Sequence, residues 1–181
     1  IMFKQYGKLI IKCEENIHES IFNSFCEKVF SNFERIDNFF NANYNELSLL
    51  MVSKENLNKL VKERSSQYKE IDVPKWLVGF SDFNEVLIVI PTESTLEEMA
   101  NVAIHELVHL LSFKLSTTNK RIKLLDEGIA VYLSNQSKGK IYTPWVNAYF
   151  KNNIPKLSDF CTYDSIEFNN KRRISILPYY Y

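Results

Sequence analysis

The stretch from Leu96 to Leu115 constrains the fold more than any other part of the chain. It is apolar nearly all round, through Ala103, Ile104, Leu107, Val108, Leu110, Leu111 and Phe113. A helix that is apolar on every side belongs in the interior. One polar stripe interrupts it: Asn101, His105, His109 and Ser112, spaced 4, 4 and 3 apart. A buried polar side chain costs a few kcal/mol unless something meets it. Whatever surrounds this helix must therefore supply the two histidines with hydrogen-bond partners or a metal. Thr95 and Glu98 form a capping-box pair that places the helix start near Leu96, and its end falls near Phe113 or Leu115.

Upstream of Pro91 the patterning alternates between strand and helix. Residues 6–13 read as one strand around Leu9-Ile10-Ile11. Phe22, Phe25, Val29, Phe33, Ile36 and Phe40 step by three or four, a helical stripe facing a core. Residues 46–52 read as a strand, and 54–65 as a helix with Leu57, Leu60 and Val61 inward. Trp76–Phe80 reads as a short strand after Pro74, and Ser81-Asp82-Phe83-Asn84 as a turn. Glu85–Ile90 is the most β-branched stretch, ended by Pro91. Downstream, a further helix is expected over about 125–134, with short helical pieces around 144–151 and 155–160. This order predicts an α+β class: a sheet lobe over residues 1–92 and a mostly helical lobe over 93–181.

Histidine chemistry has few residues to draw on. The 181 residues include three, His18, His105 and His109. Two of them stand in His105-Glu106-Leu107-Val108-His109, and positions four apart share one helix face. Both imidazoles can then reach one metal at about 2.0–2.1 Å. Glu106 stands beside such a metal rather than on it, which suits a general base acting on a metal-bound water. With 3 His among 181 residues, the composition gives roughly 0.004 accidental matches to this pattern.

A catalytic zinc needs a third protein ligand and an open fourth position. His18 lies in the opposite half of the chain and reads as a surface residue, so a carboxylate is expected. Glu127 is the best placed, in Leu124-Leu125-Asp126-Glu127-Gly128-Ile129-Ala130-Val131-Tyr132. It follows His109 by eighteen residues, room for a turn and an antiparallel return helix. Asp126 competes for the role, or else caps the helix or hydrogen-bonds a ligand histidine. Gly128 is read as a point where another helix passes closely, since glycine inside a helix otherwise costs about 1 kcal/mol.

His-Glu-Leu-Val-His followed by Leu-Leu-Asp-Glu-Gly-Ile-Ala-Val-Tyr resembles the gluzincin zinc metallopeptidases, the thermolysin-like branch of the zincins. It looks closest to the small bacterial peptidase-MA-like or minigluzincin domains. The match is specific over roughly residues 76–134. The resemblance implies a zincin-like fold: a small mixed sheet with helices in an upper lobe, the active-site helix, and a mostly helical lower lobe. It implies zinc bound by His105, His109 and Glu127, with Glu106 as base and a peptide or protein as substrate. It also implies an edge strand for the peptide, matched here to the segment ending at 85–90. Gluzincins usually add a Tyr or His that stabilises the oxyanion. With no His to spare, Tyr179 and Tyr180 are favoured over Tyr132, Tyr142, Tyr149 and Tyr163. Val131 stands four residues after Glu127, where thermolysin has a carboxylate.

Other classes fall away. Lys plus Arg is 22 and Asp plus Glu is 22, a net charge of zero. That argues against a nucleic-acid binder, which needs a basic face, and against a polybasic membrane-surface protein. Lys171-Arg172-Arg173 reads as a solvated patch. Gly7, Gly79, Gly128 and Gly139 form no phosphate-binding loop. Cys13, Cys26 and Cys161 are odd in number and widely spaced, so they read as free thiols rather than disulfides or a thiolate zinc site. No apolar run approaches the ~18 residues of a membrane span. Free cysteines and the lack of a signal pattern favour the cytoplasm, although Ile1 and the aromatic stop at Tyr181 read as cut ends. The alternative to a peptidase is a catalytically inactive zinc-binding module on the same scaffold, acting as a sensor or interaction domain.

Overall fold

The computed structural model describes residues 1–116 and 123–136. The chain divides into two compact units, Ile1–Leu115 and Ser116–Tyr181. In the first, β1 (Met2–Tyr6) and β2 (Leu9–Cys13) precede the long helix α1 (Glu19–Phe40). Then come β3 (Leu47–Val52), α2 (Lys54–Arg64) and a single 3-10 turn at Ser66–Tyr68. The short strands β4 (Gly79–Ser81) and β5 (Glu85–Val89) lead into α3 (Leu96–Leu115).

The expected single strand over 6–13 is instead a hairpin. Tyr6 pairs with Leu9 across a two-residue connection, and Gly7 takes φ +56 there. Tight hairpin connections need positive φ, which glycine adopts without strain. Among the described residues, this hairpin and three further strands form one sheet in the order β1-β2-β3-β5-β4. β2, β3 and β5 run parallel, while β1 and β4 lie antiparallel at the two edges. Parallel neighbours require a crossover, and α1 and α2 provide it.

This order corrects one expectation. The segment near 85–90 is not an edge strand, because β5 pairs with β3 on one side and with β4 on the other. A strand buried on both faces and both sides suits the continuous Val86-Leu87-Ile88 run. The edge falls to β4, three residues long and starting later than the expected Trp76–Phe80 strand.

Strand alternation sorts the core. Leu9, Ile11, Leu47, Leu49, Met51, Val86 and Ile88 point to one face and are buried. α1 buries Phe22, Phe25, Val29, Phe33 and Ile36 of the stripe read from sequence, together with Cys26, while Phe40 at its end is only partly buried. Phe30 stacks on Tyr6 at a centroid distance of 5.5 Å, tying α1 to the outer strand. α3 packs against α1, β4 and β5. On the opposite face, Leu57 and Val61 of α2 meet Val52 and Leu87.

In the second unit, α4 (Lys123–Leu133) is the described helix. Asp126, Glu127, Ala130 and Leu133 are buried, while Leu125 and Tyr132 are exposed. Gly128 differs from its reading, for a Cβ there would meet nothing within 4 Å. The class is α+β, a mixed sheet with four α-helices among the described residues.

Candidate metal centre

α3 begins at Leu96, where the capping signal placed it. The Thr95 carbonyl receives the Met99 N–H at 2.9 Å, and its hydroxyl accepts the Thr92 N–H at 2.9 Å. One turn apart on this helix, His105 is buried and His109 partly so. Their Nε2 atoms are 2.9 Å apart and the rings stand edge to face at 78°. Two nitrogens bound to one zinc can be at most about 4 Å apart, twice the bond length. A single ion therefore fits between them without moving the helix.

Glu127 is the third member. His105, His109 and Glu127 form a group that could hold a metal ion, each offering one ligand atom and all within 4.8 Å of one another. Two imidazoles and a carboxylate are the donor set that zinc takes in open catalytic sites. Asp126, the competing carboxylate, is buried on the same helix but is not part of this group.

Glu106 sits between the histidines in sequence and faces β4. Its Oε2 accepts a hydrogen bond from the Ser81 hydroxyl at 2.8 Å. Gly79, two residues earlier on the same strand, makes the approach possible. A Cβ at position 79 would stand 2.6 Å from Val102 Cγ1 and 3.1 Å from Glu106 Cγ. The backbone of β4 thus comes close to the helix that carries Glu106. Tyr68 is a third neighbour: burial pushes its phenol above the ordinary value, and the Glu106 carboxylate adds to the rise.

The turn after β4 is fixed by charge. Asp82 Oδ1 accepts the N–H groups of Asn84 and Glu85 at 2.7 and 2.9 Å. Arg64 reaches from α2 to Asp82 at 3.2 Å and to Glu85 at 2.8 Å. Phe83, in that turn, packs on Phe113 of α3 with ring centroids 4.0 Å apart. Before β4, the Lys54 ammonium donates to the Leu77 carbonyl.

Comparison with models of known protein families and with curated proteins finds no match. What is known of the site therefore rests on its own residues. His18 is exposed, and its carbonyl receives the Phe22 N–H at 3.0 Å at the start of α1. Tyr132 is exposed on α4. Tyr179, Tyr180, the other downstream tyrosines, Cys161 and Lys171–Arg173 lie outside the described residues. Sequence reasoning overlooked Ser81, Gly79 and Tyr68. Period-two alternation through 79–81 was the usable signal, since it puts Gly79 and Ser81 on one face and Phe80 on the other.

Proposed function

We propose that the protein is a zinc-dependent metallopeptidase of gluzincin type with a zincin-like fold. The observation that carries this reading is the His105, His109 and Glu127 group with Glu106 on the same helix as the histidines. When bound there, zinc would polarise a scissile carbonyl and acidify water towards neutrality. Glu106 takes the proton of the attacking water and delivers it to the leaving amine. β4, at the end of the sheet order, offers its outer side to the main chain of an extended peptide. Oxyanion stabilisation would fall to Tyr179 or Tyr180, on the resemblance alone.

The test joins zinc analysis to a fluorescence-quenched peptide library. The purified chain is expected to hold about one zinc and to cleave members of the library. Glu106→Gln should keep the zinc and lose about 100-fold or more in rate. Unchanged hydrolysis by Glu106→Gln would sink the reading. Full zinc occupancy with nothing cleaved would move the assignment to a non-catalytic zinc-binding module.

A further inference from the structure

We infer that Ser81 is a positioning residue for Glu106, holding one carboxylate oxygen so that the other meets the reacting water. The inference rests on the peptidase reading and names a residue that reading does not require. Ser81 Oγ donates to Glu106 Oε2 at 2.8 Å in a partly buried setting. A hydroxyl bonded to a carboxylate is charge-assisted and stronger than a neutral pair. The terminal torsion of a glutamate is broad and nearly unrestrained by itself. A bond to Oε2 fixes that torsion and leaves Oε1 to accept a proton.

The donor is itself held in place. Ser81 pairs with Val86 on β5, and the Asp82 turn that Arg64 clamps follows immediately. The same strand also comes close to the stem of Glu106, because a Cβ at position 79 would stand 3.1 Å from its Cγ. Head and stem of Glu106 are therefore both set by β4. Since the substrate's main chain would lie along β4, the base is registered to the peptide through one three-residue strand.

The experiment compares Ser81→Ala and Ser81→Thr with wild type on the best-cleaved peptide of the quenched library. Ser81→Ala should lower kcat about tenfold or more, leave KM within about twofold, and keep full zinc. Ser81→Thr, which retains the hydroxyl, should restore most of kcat. Should Ser81→Ala not fold, Ser81→Cys, near in size but a weak donor, carries the same expectation. Crystals of the metal-free variants give a readout apart from turnover. The Glu106 carboxylate should hold one orientation in wild type and Ser81→Thr, and turn away in Ser81→Ala. Wild-type kcat in Ser81→Ala, or equal loss in Ser81→Thr, overturns the inference. Failure of the peptidase reading looks different, with Glu106→Gln as active as wild type.

Discussion

At the scale of single residues, Gly79 decides how close β4 comes to α3. Its missing Cβ would lie 2.6 Å from Val102 Cγ1. Valine is branched at Cβ and stiff about χ1, so it cannot swing aside cheaply. Gly79→Ala is therefore expected to destabilise the fold by about 1–3 kcal/mol through overpacking, read by urea unfolding. An unchanged midpoint would mean that β4 and α3 have room to part. Cys13 and Cys26 make a second residue-level case. Both are fully buried, and burial pushes the Cys26 thiol up to about 12 and raises that of Cys13. Thiolate is the reactive form, so neither should react with iodoacetamide at pH 8 until the chain unfolds, as peptide mass spectrometry would show. At this scale the sequence was most informative where spacing alone fixes a shared face, as with His105 and His109. It was least informative for Ser81, because serine is common in turns and nothing in a single sequence says which strand lies against which helix.

At the scale of elements, α2 owes its start to a residue far upstream. Glu15 Oε1 accepts the Ser53 N–H at 2.6 Å and the Asn56 amide at 2.8 Å, while the Ser53 hydroxyl accepts the Asn56 N–H at 3.3 Å. A carboxylate at a helix N-terminus satisfies donors that have no partner within the helix. Burial alone would raise the Glu15 carboxyl, but these hydrogen bonds outweigh it and leave the group below its ordinary value of 4.5. A carboxyl lowered by folding stabilises the native state above its unfolded value, and this contribution fades as pH falls through the folded value. Glu15→Gln should cost about 0.5–1 kcal/mol at pH 7, and its gap from wild type should narrow by pH 3. Equal gaps at both pH values would assign the effect to packing. The helix itself was legible in sequence, with its start and inward residues. The contribution of Glu15 was not, because that acceptor lies thirty-eight residues upstream. The β1–β2 hairpin was missed for a related reason: one glycine reversed the chain inside a run that otherwise reads as continuous strand.

At the scale of the whole molecule, the element order was legible and the pairing of strands was not. Periodicity locates strands but says nothing of neighbours, and the edge that the resemblance implied near 85–90 falls on β5, which lies inside the sheet. Stability should follow the pairing. Among the described strands, β2, β3 and β5 have partners on both sides, so their amides should exchange with solvent most slowly, and those of β1 and β4 faster. The His105, His109 and Glu127 group, which could hold a metal ion, differs from this apolar core. His105 and Glu127 are 4% and 6% exposed. Burying imidazole and carboxylate opposes folding unless something compensates, and a cation bound there would add to that compensation. On the proposed reading, unfolding scatters the three ligands, so zinc should favour the native state by mass action, about 2.7 kcal/mol at a hundredfold excess over Kd. Thermal unfolding should then rise with zinc and fall with a chelator, by about 5–11 °C at this chain length. His109→Ala should lose the response while Glu106→Gln keeps it, because only the first removes a ligand. Equal responses in wild type and His109→Ala would place the ion elsewhere. Since no turnover is read, this result separates the question of where zinc binds from the question of what the site hydrolyses.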